Sequence, residues 1–122
     1  MIDSYRPDKP LSLYIHVPFC RKRCDYCAFY STLSDDETKE KYYAALKREL
    51  ESLIEDLRRP FDTIYFGGGN PILLSPERIL ELIAIAERYG KSGETTVEVN
   101  PEDVSSSLSV LYPSVTRIST GI

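Results

Sequence analysis

The hydrophobic pattern of the chain alternates between two periods. Four short runs of apolar and β-branched residues have the length and composition of strands. These runs cover residues 11–17, 63–66, 95–99 and 115–119. Pro10 and Pro18 bracket the first run, which predicts a buried strand with defined ends.

Longer segments between the strands repeat apolar residues at spacings of three and four, the period of an amphipathic helix. In the first of these segments, the apolar stripe consists of Tyr43, Leu46, Leu50, Leu53, Ile54 and Leu57. Ser34 or Asp35 provides a cap at its start, and Pro60 ends it. The second and third helices are predicted over residues 75–90 and 101–111.

The repeated order of strand and helix predicts an α/β fold with a parallel sheet and right-handed crossovers. A closed barrel of such repeats needs about 200 residues or more, whereas this chain has 122. We therefore predict one domain over residues 1–122, the first part of a TIM-like barrel that stops at about its fourth strand. In such a barrel, the loops after the strands build the ligand site.

Composition and charge narrow the classes of function. The chain has 15 Lys and Arg against 19 Asp and Glu, a formal net charge of −4, which disfavours a nucleic-acid partner. No apolar run approaches the roughly 20 residues of a membrane span. The first ten residues lack the apolar core of a secretory signal. These features predict a cytoplasmic protein without a transmembrane segment.

All three cysteines, Cys20, Cys24 and Cys27, lie within one short segment. An odd and closely spaced set is a poor disulfide framework and is more typical of a metal site. Three thiolates can ligate three corners of a cubane iron–sulfur cluster and leave one iron open. A zinc site with His16 as the fourth ligand is one alternative, and three unrelated buried thiols are another.

The lead YIHVPFC at residues 14–20, followed by C-x-x-x-C-x-x-C spacing, resembles the radical S-adenosylmethionine (SAM) superfamily. Within it, the lead is similar to oxygen-independent coproporphyrinogen III oxidases and to heme chaperones of the HemW type. The resemblance implies a partial radical SAM barrel, with a [4Fe–4S] cluster on Cys20, Cys24 and Cys27. It also implies that SAM chelates the fourth iron. A reduced flavodoxin- or ferredoxin-type donor would supply the electron that cleaves SAM.

Three further segments match the family in order: GGGNP at 67–71, VEVNP at 97–101 and TRISTGI at 116–122. The resemblance implies SAM contacts from Tyr14, Tyr26, Gly68, Gly69, Asn70 and Glu98. Asn70 stands where the family usually has Thr, which changes the reach of the side chain. Taken alone, three glycines predict an ordinary turn, and Glu98 is typical of a half-exposed strand.

Two functions follow from this resemblance. One is a heme chaperone that keeps the cluster and the SAM site and binds heme; the other is an enzyme that decarboxylates the propionates of coproporphyrinogen III to vinyls. The oxidases carry a fourth cysteine one residue after the third, and here Phe29 occupies that place. This difference favours the chaperone. An inactive fragment is the third alternative.

A sheet that stops at its fourth strand has unpaired edges, which predicts self-association. We expect its inner face to expose apolar side chains from Leu13, Ile15 and Val17, or from the alternate positions. The basic residues at 21–23 favour a solvated turn, with a docking site for an acidic electron donor as the alternative.

Overall fold

A computed structural model describes residues 9–20, 32–33 and 36–120. In chain order, its strands are β1 (Ser12–Val17), β2 (Phe19–Cys20), β3 (Thr32–Leu33), β4 (Thr63–Gly68), β5 (Glu94–Glu98) and β6 (Arg117–Ser119). Its α-helices are α1 (Asp36–Leu57), α2 (Pro76–Ala86) and α3 (Val104–Leu111), with short 3₁₀ turns at Pro71–Leu74 and Pro101–Asp103.

Strands β1, β4, β5 and β6 form one parallel sheet in that order. The prediction of an α/β fold with parallel βα repeats is confirmed. Within the described residues, β1 and β6 are the edges of this sheet, so it is not closed. Strands β2 and β3 pair separately, in parallel, with Phe19 opposite Thr32 and Cys20 opposite Leu33.

One face of the four-stranded sheet carries the hydrophobic core. The register aligns Ile15 with Phe66, and Phe66 with Val97, and all three side chains are buried. They belong to one apolar cluster with buried residues of α1 and α2, namely Leu50, Ile54, Ile79, Leu82 and Ile83. Because side chains alternate along a strand, the residues between them face the other, open side.

This alternation decides which residues of β1 are exposed. Ile15 and Val17 are buried, and Leu13 packs partly buried against the same core. The exposed positions are the alternates, Tyr14 and His16. The sequence pattern does not decide whether Leu13, Ile15 and Val17 or the alternate positions line the inner face. In the structure, the aromatic and polar positions line that face, and the aliphatic residues of β1 lie beneath the helices.

The helices begin and end close to their predicted limits. Helix α2 begins after Ser75, whose hydroxyl accepts a hydrogen bond from the backbone N–H of Arg78 at 3.1 Å. It ends at Ala86, four residues before Gly90, and the chain turns through Glu87. The third helical segment is divided into a 3₁₀ turn and α3. Among the described helices, none combines the length and the apolar character needed to cross a membrane.

Candidate functional site

The glycine loop after β4 lies directly beside the start of the cysteine segment. The N–H of Gly69 donates to the carbonyl oxygen of Val17 at 2.9 Å. The N–H of Asn70 donates to the carbonyl oxygen of Phe19 at 2.7 Å. These bonds extend the pairing of β1 and β4 beyond the sheet, so the loop is fastened to the residue that precedes Cys20.

Gly68 takes a backbone conformation that requires glycine. Its φ is +122°, and a Cβ atom there would lie 2.6 Å from the carbonyl oxygen of Val17. At the preceding position, a Cβ on Gly67 would lie 2.8 Å from the hydroxyl oxygen of Tyr14. The end of β4 therefore exposes backbone without side chains, next to Tyr14 on the open side of the sheet.

Glu98, at the end of β5, reaches across to β4 with both carboxylate oxygens. Its Oε1 accepts a hydrogen bond from the N–H of Gly68 at 3.2 Å. Its Oε2 accepts one from the hydroxyl of Tyr65 at 2.7 Å. Glu98 is half-buried, so lone pairs of the carboxylate remain for a ligand with hydroxyl or ammonium groups.

Three aromatic rings form a row on the open face beside this carboxylate. Tyr14 stacks on Tyr65 with ring centres 5.8 Å apart and planes 13° from parallel. The centre of the His16 ring lies 6.1 Å from that of Tyr14, and the two planes are inclined by 28°. Tyr14 is 57% exposed. The row offers a flat ligand an aromatic surface next to an acceptor for its polar groups.

Both tyrosines of this row are held in their protonated form. The pKa of Tyr65 is raised first by its hydrogen bond to Glu98, and then by burial and by the charge of that carboxylate. Burial, and next the charge of Glu98, raise the pKa of Tyr14. Both hydroxyls are therefore donors at neutral pH.

Asn70 lies in the same loop, but its side chain is buried. It is 3% exposed, and its Nδ2 donates to Oδ2 of Asp103 at 3.1 Å. Asp103 belongs to the 3₁₀ turn after β5 and is also buried. Oδ1 of Asn70 is buried without a hydrogen-bond partner in the part of the chain that the structure describes. The Asn70 side chain therefore connects the glycine loop to the turn that follows β5.

Helix α1 supports the junction between β1 and β2. The hydroxyl of Tyr42 donates to the carbonyl oxygen of His16. The ring of Phe19 meets the ring of Tyr42 edge to face, with centres 5.3 Å apart. These contacts come from the first helix, so the backbone that leads into Cys20 is held from the helix side as well as by the glycine loop.

The structure brings together four of the predicted site residues: Tyr14, Gly68, Gly69 and Glu98. Cys20 lies in β2, next to this group along the backbone. Cys24, Cys27 and Tyr26 lie outside the described residues, as do the basic residues at 21–23 and Phe29. The predictions made for them stay predictions.

Two polar residues of the site were not predicted from the sequence, Tyr65 and Asp103. Tyr65 is at an even spacing from Gly67 in the strand, so alternation puts both on one face. That signal was present in the sequence, but the pairing that brings Tyr65 to Glu98 depends on the register of β4 and β5. Asp103 gave no comparable signal, since an acidic residue after proline is typical of a helix start.

Comparison with known proteins relates the whole chain to one family. Residues 14–121 match the family described as "Radical SAM superfamily". A heme chaperone HemW of Lactococcus lactis is 42% identical over 93% of this chain and 31% of its own length. An oxygen-independent coproporphyrinogen III oxidase of Pseudomonas aeruginosa is 33% identical over 98% of this chain and 28% of its own length.

A solved structure gives the same relation at the level of the fold. The coproporphyrinogen III oxidase HemN of Escherichia coli, described as a radical SAM enzyme, superposes with a TM-score of 0.80 at 28% identity. The alignment covers 98% of this chain and 29% of that one. The chain thus spans less than a third of the length of these relatives.

Proposed function

The chain belongs to the radical SAM superfamily, and from that membership we propose that it binds a [4Fe–4S] cluster and SAM at the carboxyl edge of its sheet. The observation that carries this proposal is the direct hydrogen bond between Gly68 and Glu98. It joins two of the separate sequence motifs that the resemblance assigns to SAM.

The cluster would be held by Cys20, Cys24 and Cys27. Three thiolates leave one iron without a protein ligand, and that iron would receive the cofactor. The hydrogen bonds from Gly69 and Asn70 hold the glycine loop against the backbone before Cys20. The first cysteine and the cofactor loop are therefore neighbours, as a cluster that binds SAM requires.

The residues of the open face suit the groups of SAM. The N–H groups of Gly68 and Gly69 already donate to Glu98 and Val17, so the backbone carbonyl oxygens of these glycines would accept from the amino group of SAM. Glu98 would accept from a hydroxyl or ammonium group. Tyr14 and Tyr26 would lie against the cofactor. Asn70 would contact the cofactor through its backbone, or through its side chain only if that side chain left its buried position. When bound, SAM supplies radical chemistry that the protein's own side chains lack.

For the complete protein we propose the role of a heme chaperone, with heme and a reduced flavodoxin- or ferredoxin-type protein as partners in the cytoplasm. Two facts support this choice. The HemW of Lactococcus lactis has the higher identity of the two relatives above. Phe29 also occupies the place of the fourth cysteine of the oxidases.

Oxidative decarboxylation of coproporphyrinogen III is the second candidate. Two observations favour it: an oxidase aligns with 98% of this chain, and the fold superposes on an oxidase structure. Under this alternative, the same cluster and SAM site would act on the two propionates of a porphyrinogen.

Anaerobic reconstitution with iron and sulfide tests the shared site. We expect about four irons per chain and a brown absorbance, and loss of both in the Cys20→Ala, Cys24→Ala and Cys27→Ala variants. Added SAM is expected to change the EPR spectrum of the reduced cluster. Stoichiometric zinc without inorganic sulfide, or a spectrum that saturating SAM leaves unchanged, would contradict the proposal.

Heme binding and porphyrinogen decarboxylation separate the two candidates. A chaperone is expected to bind heme, followed by its Soret absorbance, and to release no CO₂ from coproporphyrinogen III when supplied with SAM and a reductant. An oxidase is expected to release two CO₂ for each vinyl-containing product. Release of CO₂ at that ratio would reject the chaperone role.

A further inference from the structure

Tyr65 makes the shorter of the two hydrogen bonds that hold Glu98. Its hydroxyl lies 2.7 Å from Oε2, whereas the N–H of Gly68 lies 3.2 Å from Oε1. Both donors bond to the same charged carboxylate, so the shorter bond, from Tyr65, is the stronger of the two. The orientation of the carboxylate therefore depends more on Tyr65 than on the glycine loop.

Tyr65 is itself held in place from two sides. Its ring stacks nearly parallel to that of Tyr14 on β1. On the opposite side, its hydroxyl donates to Glu98 on β5. Contacts with β1 and β5 therefore combine to orient one carboxylate.

A long acidic side chain at a strand end has several rotamers, and only some of them direct its oxygens toward a ligand on the open face. A donor that fixes one carboxylate oxygen lowers the entropy lost when a ligand binds the other. Glu98 is only half-buried, so packing alone does not select its rotamer. The hydrogen bonds must do so.

We propose that Tyr65 is a positioning residue of the cofactor site, whose hydroxyl holds the Glu98 carboxylate in the orientation that receives a hydroxyl or ammonium group of SAM. This inference rests on the proposed function. Tyr65 acts through Glu98, and its ring is not required to touch the cofactor.

Tyr65→Phe tests the inference because it keeps the stacked ring and removes only the hydroxyl. In the cluster-loaded protein, we expect this variant to bind SAM roughly 10-fold more weakly, the effect of one hydrogen bond to a charged group. Iron content should change little. Tyr89→Phe is the matched control, since Tyr89 also donates to a glutamate, Glu55, outside the site.

The double variant separates positioning from direct contact. If Tyr65 acts through Glu98, then Tyr65→Phe should add no further loss of SAM affinity to a Glu98→Ala protein, in which the Tyr65 hydroxyl has no side chain left to orient. Additive losses would show that Tyr65 contacts the cofactor itself and would overturn the positioning role.

Titration of the Tyr65 phenol, followed by NMR of a ¹³C-labelled ring, gives a readout independent of SAM. Among the described residues, the titratable groups that raise its pKa are Glu98 and, to a smaller extent, Tyr14; His16 lies beyond Tyr14 on the same face. Glu98→Gln should lower the pKa of Tyr65 toward its ordinary value, because the hydrogen bond to the carboxylate is the main cause of the increase. An unchanged pKa would overturn the inference.

These outcomes distinguish the two proposals. If the wild-type protein binds SAM and the Tyr65→Phe protein binds it equally well, the positioning role is wrong and the proposed function stands. If the cluster-loaded wild-type protein binds no SAM, the proposed function fails, and the role of Tyr65 fails with it.

Discussion

Gly68 and Gly90 share an unusual backbone conformation but lie in different parts of the fold. Their φ angles are +122° and +144°, a region that side chains other than glycine rarely adopt. A Cβ on Gly68 would meet the Val17 carbonyl oxygen, and one on Gly90 would meet the Cβ of Pro60 at 2.8 Å. Only Gly68 lies at the proposed cofactor site. Comparing substitutions at the two glycines therefore distinguishes the cost of backbone strain from a direct effect on ligand binding.

We expect Gly68→Ala and Gly90→Ala each to lower the free energy of unfolding by about 1–3 kcal/mol, the cost of a non-glycine residue in this region. Urea unfolding measures this cost. Only Gly68→Ala should also weaken SAM binding, because the clash with the Val17 carbonyl would displace the backbone N–H that donates to Glu98. Equal SAM affinity in both variants would show that the loop does not approach the ligand.

At the scale of single residues, the sequence analysis identified the site residues that lie in recognisable family motifs. Gly68 and Glu98 were predicted from motifs, and the structure joins them by a hydrogen bond. The partners Tyr65 and Asp103 were not predicted, because their roles depend on which strands and turns lie opposite them. The chemical role of a residue can be predicted from its own segment of the sequence, whereas its hydrogen-bond partner depends on segments that are distant in the sequence.

The elements were predicted where their patterns are long enough to repeat. Helix α1 has 22 residues and a full apolar stripe, so its limits at Asp36 and Leu57 lie within a residue or two of the prediction. The pair β2–β3 has only two residues in each strand, too few for any alternation to be recognised. The 3₁₀ turn at Pro71–Leu74 has only four residues, and a single turn shows no repeat either.

Helix α2 offers a test at the scale of a single element. Ser75 caps its start through the N–H of Arg78, yet its own φ is +124°, which favours glycine. We expect Ser75→Ala to lower the free energy of unfolding by about 1 kcal/mol, since the cap is lost and the backbone remains strained. Ser75→Gly should cost only a few tenths of a kcal/mol, because the relaxed backbone offsets the lost cap.

Thermal or urea unfolding can measure both variants, and Ser52→Ala on the exposed side of α1 serves as a control within about 0.5 kcal/mol of wild type. A Ser75→Gly protein that is less stable than the Ser75→Ala protein would contradict this explanation of the cap.

For the molecule as a whole, the described sheet has one covered face and one open face. The covered face is apolar, and the open face carries Tyr14, His16 and Tyr65 beside Glu98. An edge strand with free backbone groups pairs readily with another chain. The same open sheet that presents the site therefore exposes two edges, at β1 and β6.

We expect the 122-residue chain to self-associate as its concentration rises, measured by size-exclusion chromatography with light scattering. Ser12→Lys introduces a charge at the exposed start of the β1 edge and should shift the chain toward monomer. A wild-type chain that stays monodisperse and unfolds cooperatively as a monomer would show that this sheet is stable with its edges unpaired.

The sequence separation of the site's partners has a consequence for how the protein reaches its folded state. Tyr65 and Glu98 are 33 residues apart, and Ser12 and Thr63, which pair the first two strands of the sheet, are 51 apart. Parallel pairing of this kind requires long loops to close before the paired residues make stabilising contacts, and this entropic cost slows folding. A nascent chain can complete α1 while every ligand-facing contact is still missing. We therefore expect the proposed cofactor site to form late, and the time at which cofactor binding appears would report the docking of β5.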